Sequence, residues 1–483
     1  MQPTLVVGFD LDMTLLDTRP GIRKVWDELS AITGVSLDSE LIVSRLGPPL
    51  SHELTNWVAP ERVPELIALY RELYPDHAIE PALLLPGAVE ALQAVRDRGG
   101  SALVVTAKSS STAQLHIDHL ALGADELVGG LWGEGKAEAL LAHGAVIYVG
   151  DHVHDMAGAR AAGAVAVGVT TGPCSRDELT AAGADVVLTD LTELPGWLDD
   201  YLLTTRLAAL DARLHELGSL LVAFSGGADS AFLLAAAVRS LGPDKVVAAT
   251  ALSDSLPQSE RDPARAFCRQ LGVRHLTPTT HEMDRAGYRA NAGDRCYFCK
   301  AELVDVLRPV AVDLGIAHVA TGTNADDALA GFRPGIRAAF ERDAVTPLLD
   351  AGLTKSQIRQ ASLQWGLPTW DKPAAACLSS RIAYGVEVTP TRLARVERAE
   401  VAVRLALADD GHEIGNVRVR DLGDEARIEL DLALVGALAR DAAATQRVLA
   451  AAVGAGFSAA FVDPAGFRSG AMNELLADPA RYR

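Results

Sequence analysis

Two aspartates one residue apart, Asp10 and Asp12, close a short apolar run, and carboxylates so placed beyond a buried strand lie at the carboxyl edge of a sheet, where open α/β folds bind ligands. One carboxylate there can attack phosphorus while its neighbour exchanges a proton with the leaving oxygen and with water. A pair of solvated turn aspartates would read the same way, so the motif alone does not decide. It is followed in chain order by Thr106 after Leu103-Val104-Val105, by Lys136 in Gly135-Lys136, and by Asp151 and Asp155 after the strand ending at Val149. A hydroxyl and an ammonium would hold phosphate oxygens, and Asp151 with Asp10 would offer Mg²⁺ hard oxygen ligands. Asp12 and Asp155 are counted in the same acidic set. His152 and His154, between the acids, read as loop residues rather than ligands.

A second group of residues begins at Ser225-Gly226-Gly227-Ala228-Asp229-Ser230, after Val222-Ala223-Phe224 and before a helical run from Ala231. Two glycines let the backbone approach a polyphosphate, and N–H groups at a helix start point towards it. The loop lacks the GKS/T ending of a Walker motif. An ordinary Gly-Gly turn is the plainer alternative. Further on, Arg418 and Arg420 sit at i and i+2 of a strand and so share a face, where two guanidiniums can grip a substrate phosphate. A solvated strand face is again the alternative.

These residues need sheets to position them. Short Val/Leu strands are expected from Thr4 to Phe9, Ser101 to Val105, Ala145 to Val149 and Val165 to Val169, alternating with helical stretches, which implies parallel βαβ units. Between about Leu15 and Pro86 helical spacing replaces the strand pattern, with Trp26, Leu29, Ile32, Leu66, Leu69, Tyr70 and Leu73 as its expected buried positions. A second α/β run is expected at Leu220 to Phe224, Val246 to Thr250, His275 to Pro278 and Val319 to Thr321. Beyond about Thr389 a helix from Thr391 to Leu407 and strands Val417 to Asp421 and Ala426 to Leu430 suggest an α+β tail. The fold class is therefore α/β, with two parallel-sheet domains and a small C-terminal α+β domain. The chain has 483 residues with 49% apolar and 22% charged residues, which excludes disorder and coiled-coil arrays. A net charge of −19 argues against a nucleic-acid groove. No apolar run approaches the ~20 residues of a membrane span, and five cysteines, two of them in a CxxC, do not look like a secreted disulfide framework. A cytoplasmic protein is expected.

The first set of motifs resembles the haloacid dehalogenase (HAD) superfamily across about residues 1–200, with a helical cap of the phosphoglycolate-phosphatase kind at about 15–85. The resemblance implies that Asp10 is the nucleophile, Asp12 the acid/base, Thr106 and Lys136 the phosphate holders, and Asp151 a metal ligand supported by Asp155. A decayed, structural HAD domain is the alternative. The loop at Ser225 resembles the PP-loop of ATP pyrophosphatases, which cleave ATP between its α and β phosphates; Ser225, Gly226, Gly227, Asp229 and Ser230 would then bind ATP.

Arg295-Cys296-Tyr297-Phe298-Cys299-Lys300, Thr321-Gly322-Thr323-Asn324 with Asp326-Asp327, Arg333-Pro334-Gly335, Lys372-Pro373-Ala374-Ala375-Ala376-Cys377-Leu378-Ser379-Ser380-Arg381 with Tyr384-Gly385, Glu400, Val417-Arg418-Val419-Arg420 and Gly466-Phe467-Arg468-Ser469-Gly470 follow in order. Together they resemble the LarE family, ATP-dependent sulfur transferases of nickel-pincer nucleotide cofactor synthesis, over nearly all of 206–483. The resemblance implies adenylation of a carboxylate on a pyridinium mononucleotide, replacement of oxygen by sulfur, and a homo-oligomer. Glu400 carries over as an acid/base or orienting carboxylate, or is a plain helix-surface residue. One branch of that family sacrifices a loop cysteine, which aligns here with Ala376 rather than Cys377. The other holds a [4Fe–4S] cluster on a CxxC pair plus one loop cysteine, and Cys296, Cys299 and Cys377 fit that pattern. A zinc site with an unseen fourth ligand and three packed thiols stay open as alternatives. Cys174 and Cys268 read as small core residues.

The expected chain is thus a HAD-like hydrolase at 1–200, a PP-loop domain at 206–385 and a substrate-binding tail at 386–483. Its substrates would be a phosphate ester for the first part and ATP with a pyridinium nucleotide for the second. A PP-loop tRNA thiolase, or another adenylating synthetase with a structural HAD domain, is the rival reading.

Overall fold

The computed structural model describes residues 5–46, 48–329, 334–373, 376–468 and 472. Thr4, Arg333, Ala374, Ala375, Ser469 and Gly470, which the expected motifs include, lie outside the described residues. The chain divides into two compact units, Met1–Leu202 and Leu203–Arg483. The helix Leu194–Leu217 contains the division.

In the first unit, strands β1 (Val6–Phe9), β4 (Ser101–Thr106), β5 (Glu126–Gly129), β6 (Ile147–Gly150), β7 (Val165–Val169) and β8 (Val186–Leu188) form a six-stranded sheet. Its order is β5-β4-β1-β6-β7-β8, and every neighbouring pair is parallel. With β1 central, the ends of β4 and β6 flank its own end, so Asp10, Thr106 and Asp151 meet at one edge. Val7, Phe9, Val104, Ile147 and Val149 bury one face of the sheet and Leu103, Val105 and Tyr148 the other, which is why these strands read as continuous apolar runs.

The segment after Asp12 leaves the sheet through β2 (Leu16–Asp17) and returns through β3 (Leu83–Leu84), which pair antiparallel. Between them the helices Arg19–Thr33 and Val63–Ala78 pack around Trp26, Leu29, Leu66, Tyr70 and Tyr74. Gly21 permits their close approach, since a Cβ there would fall 2.2 Å from the Ala78 carbonyl oxygen. The expected buried positions hold for Trp26, Leu29, Leu66 and Tyr70, while Leu69 and Leu73 are half-buried. Ile32 is a correction: it is 54% exposed, on the last turn of its helix, where the apolar stripe has already rotated away from Val63–Ala78.

The second unit carries a parallel sheet of β9 (Leu220–Ala223), β10 (Val246–Ala249), β11 (Arg274–Leu276) and β12 (His318–Ala320), in the order β11-β10-β9-β12. Here β9 lies between β10 and β12, so the loop after it is flanked by the segments that start at Thr250 and Thr321. A further sheet pairs β13 (Val417–Asp421) antiparallel with β14 (Glu425–Leu430), and β14 parallel with β15 (Ala459–Val462). The helices Pro390–Asp409 and Ala442–Gly454 pack against it. Its core also takes in Tyr288, Leu378 and Ile382, from the segments that carry the CxxC and the Cys377 loop.

Candidate functional site

The first site is built where β1, β4 and β6 end. Asp10 donates its backbone N–H to Val149 at 2.8 Å, and its carboxylate accepts from Lys136 Nζ at 2.7 Å. The same ammonium reaches Asp155 Oδ1 at 2.6 Å and the Tyr148 hydroxyl at 2.8 Å. Asp151 accepts from Thr14 Oγ1 at 2.9 Å. One oxygen each of Asp10, Asp151 and Asp155 lies within 4.8 Å of the others, and all three residues are buried. Burial, opposed by Lys136 and reinforced by Asp155 and Asp12, lifts Asp10 from the usual carboxylate range to about 7. Burial, then Asp155 and Asp10, raises Asp151 well above its usual value. Three buried carboxylates against one ammonium are short of positive charge, and their oxygens are hard donors, so the set fits a divalent cation such as Mg²⁺.

Asp12 stands apart from those three. Its carboxylate accepts from Thr18 Oγ1 at 2.5 Å and lies 3.2 Å from Lys108 Nζ. It is not in the acidic trio formed by Asp10, Asp151 and Asp155, and its contacts are to Thr18 and Lys108 instead. Thr106 Oγ1 accepts from the Lys108 backbone N–H at 3.2 Å, which leaves its own proton to donate. These residues line a cavity of about 370 Å³, with Trp26, Arg45, Tyr70 and Arg71 contributed by the cap. His152 caps the helix Val153–Ala161 and stacks with His154, whose ring also meets Trp132 at a tilt.

The second site lies beyond β9. Gly226 takes φ 75°, a conformation that favours glycine, and Ser230 Oγ, at the start of the helix Ala228–Leu241, donates to the Gly227 carbonyl at 3.1 Å. Lys372 donates to the Gly226 carbonyl at 2.8 Å and pairs with Glu260 at 2.5 Å. Asp229 is raised by burial against the pull of Lys355. A cavity of about 700 Å³ is lined by this loop and also by Cys296, Cys299 and Cys377. Cys296 and Cys299 project one turn apart from the start of the helix Arg295–Asp313, while Cys377 precedes the short helix Leu378–Arg381. Burial, then Cys377, pushes the Cys299 thiol far up. Three sulfur donors on one cavity fit an iron–sulfur group at the level of the donor set.

Residues 4–163 match the haloacid dehalogenase-like hydrolase family, and residues 134–194 the HAD-hydrolase-like family. Over 220 residues the chain is 30% identical to the probable phosphatase IndB of Dickeya dadantii, a match that covers 41% of this chain and 93% of that protein. Over 275 residues it is 40% identical to an uncharacterized protein of Synechocystis sp., covering 57% of this chain and 99% of that one. Over 276 residues it is 34% identical to the pyridinium-3,5-bisthiocarboxylic acid mononucleotide synthase of Lactiplantibacillus plantarum, covering 57% of this chain and 96% of the synthase. The chain belongs to the LarE family. Its LarE part is fused to an N-terminal HAD hydrolase domain.

Within the LarE part, the expected residues separate into two groups. The PP-loop and the three cysteines share a cavity, whereas Glu400, Arg418 and Arg420 stand outside its lining. Arg420 is buried against Glu429, at 2.9 Å from Nε and 2.7 Å from Nη2, and its Nη1 donates to the Ser380 carbonyl at 3.2 Å. The Arg418 guanidinium lies 5.4 Å from the centre of the Phe467 ring, and burial with the nearby Arg381 lowers it to about 10. Glu400 is half-buried. It accepts from Arg381 Nε at 3.0 Å and from the Val419 N–H at 3.1 Å, and Arg381 in turn donates to the carbonyls of Ala376 and Cys377. Glu400 thereby steadies the Cys377 loop. Cys268 is buried in the core, as expected, and Cys174 is half-buried.

Sequence reasoning missed Lys108, Tyr74, Thr14, Thr18 and Tyr148 in the hydrolase site, and Lys355, Lys372 and Glu260 around the PP-loop. Lys108 had a signal, since it follows Thr106 by two residues at a strand end.

Proposed function

We propose that the chain activates a pyridinium mononucleotide carboxylate with ATP and replaces its oxygen by sulfur, as a step in nickel-pincer cofactor synthesis, while its HAD domain hydrolyses a phosphate monoester with Mg²⁺. The observation that carries the first reading is the common cavity of the PP-loop and the three cysteines. An activating loop and a sulfur source on one cavity let an acyl adenylate meet a sulfur nucleophile without diffusing away. In the activation step the substrate carboxylate attacks the α-phosphorus and pyrophosphate leaves. Ser225, Asp229, Ser230 and the backbone at Gly226 and Gly227 hold the phosphates, and Lys372 steadies the loop through the Gly226 carbonyl. In the transfer step sulfur attacks the acyl carbon and AMP leaves. An iron–sulfur group on Cys296, Cys299 and Cys377 would supply that sulfur as sulfide. The Arg381–Glu400 pair sets the Cys377 backbone in place.

In the HAD domain, Asp10 is the nucleophile towards phosphorus. Asp12 gives a proton to the departing oxygen and later takes one from water, with Thr106 and Lys136 on the phosphate oxygens. Mg²⁺ on Asp10, Asp151 and Asp155 would neutralise charge on the phosphoryl group. The experiment for the sulfur reading is product analysis with ATP and a pyridinium carboxylate mononucleotide: AMP, pyrophosphate and a thiocarboxylate are expected. Formation of ADP, or ATP cleavage that responds to tRNA and ignores the pyridinium nucleotide, counts against it.

A further inference from the structure

Beside the acidic cluster runs a polar chain of three residues from three different elements. Lys108 belongs to the loop after β4, Tyr74 to the cap helix Val63–Ala78, and His116 to the helix Ser110–His119. Lys108 Nζ lies 3.2 Å from Asp12 Oδ1 and donates to the Tyr74 hydroxyl at 2.6 Å. That hydroxyl lies 2.9 Å from His116 Nε2. An ammonium has donors only, so the Tyr74 oxygen accepts and its own proton goes to His116 Nε2. The imidazole proton is thereby assigned to Nδ1, which is buried and has no partner among the described residues. Leaving a buried donor unpaired costs stability, so the arrangement disfavours folding locally and calls for another reason.

Both phenol and imidazole are nearly inaccessible, Tyr74 at 3% and His116 at 0% exposure. Burial, then Lys108, lowers His116 to about 4, and burial holds Tyr74 well above its usual value. Both therefore stay neutral, and donation runs one way, from Lys108 through Tyr74 to His116. Lysine is a flexible point charge that a single ion pair orients poorly. Two fixed acceptors, one from the core sheet and one from the cap, define where its ammonium sits.

We propose that Tyr74, oriented by His116, is a positioning residue that holds Lys108 against Asp12, so that the acid/base carboxylate is set in place by the cap helix. This rests on the phosphatase reading of Asp10 and Asp12. The remaining N–H of Lys108 has no acceptor among the described residues and borders the cavity, open to a substrate oxygen.

The test uses the full chain, Mg²⁺ and a generic phosphate monoester. Tyr74→Phe keeps the ring contacts to Tyr70 and His116, at 5.6 and 5.7 Å between centres, and removes only the hydroxyl. Its kcat should fall about tenfold with KM within about twofold, because the loss is felt in proton transfer rather than in binding. Lys108→Ala should fall at least as far, and Lys108→Ala with Tyr74→Phe no further than Lys108→Ala alone, since Tyr74 acts through Lys108. A wild-type kcat for Tyr74→Phe, or losses that multiply in the double variant, overturns the proposal. Hydrogen exchange between Leu66 and Ala78 supplies a readout free of turnover: Tyr74→Phe and Lys108→Ala should speed it equally and not additively. If the wild type hydrolyses no ester, the phosphatase reading fails by itself, and unchanged exchange in Tyr74→Phe then overturns the positioning role of Tyr74 as well.

Discussion

Replacing Arg420 by methionine separates a structural role from the phosphate-gripping role that its strand position suggests. The guanidinium gives Glu429 two hydrogen bonds, of 2.9 and 2.7 Å, and the Glu429 side chain is 0% exposed. Removing one partner of a buried pair leaves an uncompensated charge and costs about 3–5 kcal/mol. Here Arg427 stays on the other carboxylate oxygen at 2.8 Å, which places Arg420→Met at the lower end, about 3 kcal/mol. A second change, Glu429→Gln, takes away the stranded charge, so the double variant should recover roughly half of that loss. Urea unfolding of the full chain, with hydrogen exchange over Val417–Asp421 and Glu425–Leu430 to assign the transition, measures both. An Arg420→Met protein as stable as its parent but weaker in substrate binding would refute the reasoning and return Arg420 to the phosphate.

Asp10→Asn should abolish Mg²⁺-dependent ester hydrolysis and leave cleavage of ATP to AMP intact, as measured in one preparation; loss of both in a folded variant contradicts independent sites. Asp229→Ala or Ser230→Ala should suppress AMP and pyrophosphate release while ester hydrolysis continues, read by phosphate and nucleotide analysis. In chelator, Asp10 keeps its proton in the folded state up to about pH 7, whereas the unfolded carboxyl loses it near 3.8. Stability from this group is therefore present at low pH and lost as pH rises through that window. The melting-temperature gain from Mg²⁺ should grow from about pH 5 to about pH 8, and a pH-independent gain would contradict the metal assignment.

The chemistry that lies at strand ends was legible because the sheets are parallel and buried. Asp10, Thr106 and Asp151 each follow a continuous Val/Leu run, and the order β4-β1-β6 then brings them together. The same holds for the loop after β9. Three edge strands were missed, β5, β8 and β15, and of these β5 and β15 bury no residue fully. Residues that meet only through tertiary folding were missed as well. Tyr74 and His116 come from separate helices and carry no local pattern that joins them to Asp12. For Arg420 the strand was recognised but not its register. Opposite Arg427 in the antiparallel pair, it has Glu429 as a diagonal neighbour, and that pairing decides where its charge goes. The cysteines were found through the resemblance, and the cavity relates them to the activating loop.

Iron and acid-labile sulfide in anaerobically purified protein, together with the intact mass before and after one turnover, test the sulfur-transfer account most directly. The account predicts bound iron that is lost in each of Cys296→Ala, Cys299→Ala and Cys377→Ala, along with sulfur transfer, while adenylation survives and the chain mass of the wild type stays constant. Protein without iron, whose Cys377 alone is converted to dehydroalanine while Cys296→Ala and Cys299→Ala keep a single turnover, would contradict it.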